Sequence, residues 1–162
     1  DVLTRVIAKI SSKSPAQHIE DIADAVGYES AFFISLSPEG YPAFSGGGCL
    51  SARDLARFGL IFTRQGRNIA GQPFANNEFL SKTISRDAPQ LSEPKGWLRY
   101  SNHLMTDGRF VGHAGYGGQF LLIDTKRKTS ISFLSVLENE DGYDDAYMGK
   151  VAVTLKNVLQ QF

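Results

Sequence analysis

One stretch constrains the fold of this chain more than any other: Arg109-Phe110-Val111-Gly112-His113-Ala114-Gly115-Tyr116-Gly117-Gly118-Gln119-Phe120-Leu121-Leu122-Ile123-Asp124. It sets a histidine among closely spaced glycines, between two segments that read as β-strands. Glycines at that density serve a tight turn, or a place where another group approaches the backbone closely. The apolar run Phe120 to Ile123 follows at once, so the glycines sit on the lip of a buried strand. Imidazole titrates near neutrality, so His113 beside an exposed backbone edge makes a candidate wall for a ligand. The stretch holds no nucleophile.

Around it the periodicities divide the chain. Val2, Leu3, Val6, Ile7 and Ile10 follow helical spacing, with Asp1 as a cap. Ser14-Pro15 starts a second helix, whose apolar face is Ile19, Ile22, Ala23 and Val26 and whose stop is Gly27. Ala31 to Leu36 reads as a strand, Ser37 to Gly40 as a turn, and Tyr41 to Phe44 as the extended return. After Gly46-Gly47-Gly48, Ser51 is an N-cap and Asp54, three residues on, approximates a capping box. That helix is the most apolar, through Leu55, Phe58, Leu60, Ile61 and Phe62, and closes near Gly66. Asn68 to Phe74 is an irregular loop or small hairpin. Asn77 caps a short helix with Phe79, Leu80 and Ile84, and Arg86 to Pro94 is a polar loop.

The last third alternates. Trp97 to Met105 is expected to be one strand, Thr106-Asp107-Gly108 a hairpin turn, and Ile131 to Leu137 a strand covered on both faces. A helix from about Asp144 to Phe162 closes the chain with Met148, Val151, Ala152, Leu155, Val158 and Leu159 on one face. Helices first, then a three-strand antiparallel meander, then a helix define an α+β class, a C-terminal meander flanked by helices.

Composition narrows the function. Seventeen basic and seventeen acidic residues cancel, so no field favours nucleic acid or an anionic membrane surface. No apolar run approaches the roughly 18 residues of a membrane span. One cysteine, Cys49, excludes an intrachain disulfide, and its neighbours suggest a small buried residue. His18 and His103 read as structural or surface residues. No pair of histidines has metal-ligand spacing, and the acidic run Glu138, Glu140, Asp141, Asp144 and Asp145 lacks calcium-loop spacing, so neither a metal nor another cofactor is expected.

Two blocks carry a family resemblance. Gly46-Gly47-Gly48-Cys49-Leu50-Ser51-Ala52-Arg53-Asp54-Leu55-Ala56-Arg57-Phe58-Gly59 is similar to the glycine-rich entry and helix found late in the serine β-lactamase and penicillin-binding family. His113-Ala114-Gly115-Tyr116-Gly117-Gly118-Gln119 resembles that family's third motif. Where lactamases carry Lys-Thr-Gly or Lys-Ser-Gly, the histidine version resembles the D-amino-acid peptidase, DD-carboxypeptidase and esterase branches. The resemblance implies a β-lactamase/transpeptidase-like fold and an ester or amide substrate, small molecule or peptide, opened through an acyl-enzyme. It implies that Tyr116 supplies one backbone N–H of an oxyanion hole, a donor worth about 3–4 kcal/mol of transition-state stabilisation. It implies that His113, Ala114, Gly115 and Gly117 line the substrate cleft.

The nucleophile is not where the family would put it. Ser92-Glu93-Pro94-Lys95 and Tyr100-Ser101-Asn102 match the first and second motifs literally. Pro94 interrupts a polar loop rather than opening a buried helix, the two patterns are too close together, and the second lies on a strand, so both are read as chance. The first helix resembles the one that follows the second motif. Residues 1–162 are therefore expected to be a C-terminal segment of a β-lactamase-like domain, inactive alone, whose missing strands leave an edge at Ile131 to Leu137 open to a second copy or a complementary N-terminal chain. The competing class is a non-catalytic module that binds a ligand or partner through the same groove. The compartment is not encoded: a leader on the missing part would imply a periplasmic or secreted protein, and its absence a cytoplasmic one.

Overall fold

A computed structural model describes residues 2–85, 87–93, 95–138 and 142–162. The Asp1 cap, Arg86 and Pro94 of the polar loop, and Glu140 and Asp141 of the acidic run lie outside the described residues. The fold is α+β: a five-stranded antiparallel meander with helices on both faces.

The helical layer comes first. α1 (Val2–Ile10) and α2 (Pro15–Val26) form where the spacing predicts them. Ser14 and Gln17 make a reciprocal capping box at the start of α2, and Gly27 ends it in the left-handed region. α1 departs from expectation in its orientation. Its one fully buried residue is Thr4, whose hydroxyl donates to the Pro42 carbonyl at 3.1 Å. Of the apolar stripe only Ile7 is half-buried, while Val2 and Ile10 are 77% and 79% exposed. Nothing among the described residues covers that face.

The segment after α2 is more extended than paired. β1 (Phe33–Ile34) pairs with β2 (Gly48–Cys49), and the expected hairpin reduces to one bridge between Leu36 and Pro42. The triple glycine thus ends in a strand, and Cys49 is exposed rather than buried. The apolar helix is split into α3 (Ala52–Phe58) and α4 (Leu60–Thr63) at Gly59. Only glycine fits there, because a Cβ would come within 2.7 Å of the Ser130 Cβ and 2.9 Å of Ile123. Ser130 and Ser132 donate to the Ala56 and Ala52 carbonyls, which fastens α3 to the sheet.

Asp54 does more than cap. Ser51 Oγ accepts the Asp54 N–H, but the buried Asp54 carboxylate accepts from Ser51 Oγ and from the Glu29 and Ser30 amides at 2.9 and 3.1 Å. It locks the loop after α2 onto α3. Asn68–Phe74 is a small hairpin bridged between Arg67 and Pro73. α5 (Asn77–Ile84) is capped by Asn76, one residue earlier than expected.

The sheet has five strands where three are predicted. Trp97 to Met105 is not one strand but the hairpin β3 (Arg99–Ser101) and β4 (Leu104–Thr106). Asn102 and His103, both at positive φ, form its two-residue turn. β5 (Phe110–Gly115), β6 (Gln119–Asp124) and β7 (Thr129–Phe133) complete the order β3-β4-β5-β6-β7. β7 stops four residues short of the expected Leu137 and is an edge strand, covered on one face by α3 and on the other by α6 (Asp145–Leu159).

Strand alternation builds both cores. Val111, Leu121 and Ile123 point to the helical layer and pack with Val26, Ile61, Phe62 and Leu80. Phe110, Phe120 and Leu122 point the other way, onto Met148, Ala152, Leu155 and Leu159 of α6. The wholly buried Asp124 closes the sheet's far end, accepting from the Arg109 guanidinium and from the Lys126 and Arg127 amides.

Candidate functional site

The glycine-rich stretch becomes the β5–β6 hairpin, with Gly115 opposite Gln119 and residues 116–118 as its loop. Gly118 N–H bonds back to the Gly115 carbonyl at 3.2 Å, and Gly117 N–H reaches the Gly142 carbonyl at 2.8 Å. No acceptor among the described residues takes the Tyr116 N–H. The Tyr116 side chain is 72% exposed. The turn is braced from behind: Tyr147 of α6 donates to Ser135 Oγ at 3.0 Å, and Ser135 Oγ donates to the Gly118 carbonyl at 2.7 Å. Gly118, at φ 93°, packs against both side chains.

In front of the turn lies a groove of about 860 Å³. One wall is β5 and its turn, with His113, Ala114, Gly115, Tyr116 and Gln119; the other is the segment Phe44 to Gly48. Four of the five residues predicted to form the site, His113, Ala114, Gly115 and Tyr116, line it together. Gly117 is buried in the turn beside them. Leu3 of α1 reaches its rim.

Two further residues, which the sequence assigns to a plain strand, enter the groove. Tyr100 and His103 arrive on the β3–β4 hairpin. The Tyr100 hydroxyl lies 3.2 Å from His113 Nε2, and the rings meet edge-on with centroids 5.9 Å apart. The hairpin is tied to α5 through the Asn102 amide on Thr83 Oγ1 at 2.9 Å and the Thr106 hydroxyl on the Ile84 carbonyl at 3.0 Å. The signal that would have found it is Asn102-His103, a polar pair that breaks the alternation where a two-residue turn fits. His113 loses solvation in this concave wall, which lowers its pKa; a hydrogen bond with the Ala114 backbone opposes the shift, and His103 nearby adds to it.

The other candidates fall outside. Ser92 and Lys95 do not line the groove. Lys95 Nζ is held by the Tyr143 hydroxyl and by the Asp145 carboxylate at 2.7 Å. Burial disfavours its charge, but these two partners outweigh burial and raise its pKa, so it is no base at neutral pH. His18 pairs with Ser11 Oγ at 2.7 Å beside the Lys13–Asp21 ion pair, in a separate open hollow. No cluster of metal-ligating side chains occurs among the described residues. No helix among them is long and apolar enough to cross a membrane.

An antiparallel sheet between a helical layer and a C-terminal helix, with a glycine-walled groove at the end of its central hairpin, places the chain in the β-lactamase-like fold class. A family model described as Beta-lactamase matches residues 1–154, and the chain belongs to that family. Among solved structures it is similar to one titled "Putative 6-aminohexanoate-dimer hydrolase from Bacillus anthracis", with a TM-score of 0.74 at 21% identity. The match covers 97% of this chain and 40% of that one, so this chain spans less than half of its structural relative. No curated protein matches it.

Proposed function

We propose that this chain is the cleft-wall portion of a serine hydrolase that opens an ester or amide through an acyl-enzyme. The Tyr116 N–H serves as one donor of the oxyanion hole, and His113, Ala114, Gly115 and Gly117 form the substrate wall. The observation that carries this reading is the β5–β6 turn: its Tyr116 amide is without an acceptor among the described residues at the edge of a groove wide enough for a substrate. A preorganised amide donor of that kind stabilises the developing oxyanion without reorganising at the moment of reaction. The similar solved structure is named as a putative hydrolase, which accords with this class.

The serine and its base belong, on this reading, to a segment preceding Asp1. The exposed apolar face of α1 and the open edge of β7 are its docking surfaces, and a complementary N-terminal chain is the occupant we favour. The chain alone is inactive. A fluorophosphonate followed by intact-mass measurement should leave it unlabelled, and labelling of Ser92 or Ser45 would overturn the assignment. In a reconstituted protein carrying the upstream segment, labelling should appear, and Tyr116→Pro, which deletes the N–H, should lower kcat about 10²–10³-fold. Light scattering of the chain alone tests the docking surfaces: self-association is expected, and a monodisperse monomer at high concentration counts against them.

A further inference from the structure

We propose that a hollow at the far end of the sheet from the groove is a second ligand site, which takes a small oxyanion of the phosphate type. Arg64, Arg67 and Lys128 ring it. The hollow has a volume of about 340 Å³, and Thr63, Gln65, Asn68 and Gly71 complete its lining. The site is separate from the groove and does not depend on the hydrolase reading.

The three cations come from two distant parts of the chain. α4 gives way at Arg64 to Gln65 and Gly66, both left-handed at φ 54° and 76°, and the Gly66 N–H closes the helix on the Ile61 carbonyl at 2.7 Å. That reversal leads into the small hairpin, whose carbonyls hold both arginines. Arg64 Nη1 donates to the Ile69 carbonyl at 3.1 Å, and Arg67 Nη1 donates to the Gly71 carbonyl at 2.9 Å. Lys128 joins them from the β6–β7 turn, at φ 59°.

Two features of this arrangement point to an anion. A guanidinium carries five N–H donors, and among the described residues the backbone bonds engage only Nη1 of each arginine. Each arginine is therefore held in place while Nε and Nη2 keep the planar fork that matches a phosphate. The second feature is cost. Like charges gathered round one hollow repel. Of the four non-glycine residues at positive φ among the described residues, two, Gln65 and Lys128, line this hollow. Strained backbone that assembles like charges is what a bound anion offsets.

The neighbouring carboxylate does not fill that role. Asp124, at the base of the β6–β7 turn, is wholly buried and paired with Arg109. The chain beside the undescribed acids lies elsewhere. Leu3 is on the groove rim and Gly142 is on the β5–β6 turn, separated from the β6–β7 turn by the six residues of β6. A strand of that length spans about 20 Å. The cations surround a concavity, so the ligand is a small anion that enters it rather than a flat membrane surface.

The test is nitrogen–proton NMR of the chain as it stands, following the arginine Nε–H signals and the Lys128 amide as inorganic phosphate is added at fixed neutral pH. Arg64, Arg67 and Lys128 should shift together and saturate, and sodium chloride at the same ionic strength should give no saturable shift. Affinity should fall as salt rises from about 0.01 to 0.15 M, because the screening length shortens from about 30 to 8 Å. Lys128→Gly removes one cation and relieves the strain at φ 59°, so it keeps the fold. It should weaken phosphate binding about threefold to fivefold, the upper scale of one exposed charge pair. Arg67→Gln should weaken it at least as much; if that variant disturbs the hairpin its guanidinium holds, Lys128→Gly decides alone. Matching shifts in chloride, no saturation at these three residues, an affinity indifferent to salt, or an unchanged affinity in Lys128→Gly each overturns the proposal. None of these readings involves the groove, so failure of the hydrolase assignment under fluorophosphonate would be seen separately.

Discussion

Gly118→Ala is the sharpest single test of how the groove is built. Gly118 sits at φ 93°, where an L side chain costs about 1–2 kcal/mol. A Cβ there would also overlap Ser135 Oγ and stand 3.3 Å from Tyr147 Cε1. To admit it, Ser135 must turn away. That breaks its bond to the Gly118 carbonyl at 2.7 Å and the one it accepts from Tyr147 at 3.0 Å. Each neutral bond contributes about 1 kcal/mol net. The sum is about 3–4 kcal/mol, which for a chain of this length lowers Tm by roughly 10 °C. The two components separate in a double-mutant cycle followed by thermal unfolding. Ser135→Ala alone should cost about 2 kcal/mol through the lost bonds. In the double variant the overlap is gone and those bonds cannot be lost twice. The pair should therefore be about 2 kcal/mol more stable than the sum of the single effects. Additive costs would refute the reasoning, because they would mean that Ser135 and Tyr147 do not brace the turn that presents Tyr116.

Other outcomes follow from the same contacts. The Glu29 amide, and with it Ser51 and Ser30, holds the Asp54 carboxyl below the usual range. A depressed carboxyl contributes stability that is full above its unfolded pKa of about 3.9 and is lost as pH falls through the folded value. Asp54→Asn should therefore lower Tm at neutral pH, converge with the unsubstituted chain in acid, and flatten the Tm–pH curve; parallel curves would sink this. His113, whose pKa burial lowers, works in the same sense in a higher window: its contribution is full above about pH 6.5 and declines on acidification. A Tm–pH curve unchanged by His113→Gln between about pH 5 and 7 would contradict it. His103 holds φ 63° in a two-residue turn that prefers glycine at its second position. His103→Gly should stabilise the chain by roughly 0.5–1 kcal/mol, read as a rise in Tm, because the left-handed strain removed exceeds the entropy added; a lower Tm would refute it.

Where a residue's structure depends on its near neighbours, the sequence was sufficient. Ser14-Pro15 with Gln17 starts α2 and Gly27 stops it, since capping is settled within a few residues. The two faces of β5 and β6 were legible because alternation assigns them before any partner is known. The glycine run around His113 marked its own importance, since glycines so close together between strands demand a turn or a close approach.

What pairing and packing decide was not legible. Trp97 to Met105 reads as one strand until its two halves pair as β3 and β4 and Asn102 is anchored on Thr83 of α5, contacts that together hold the hairpin against two residues' left-handed strain. That fold carries Tyr100 to His113, thirteen residues away, and turns a motif match set aside as chance into half of a hydrogen-bonded pair in the groove. Gly59 splits a continuous apolar helix for the sake of Ser130, which no local rule foresees. The apolar stripe of α1 predicts burial, but burial needs a partner, and Thr4 holds the helix with that stripe turned to solvent. The sequence by itself determined the glycine-rich wall and its imidazole. Only the tertiary structure decided that a phenol stands against that imidazole, because contact between distant strands is set by register and anchoring, not by the periodicity of either one.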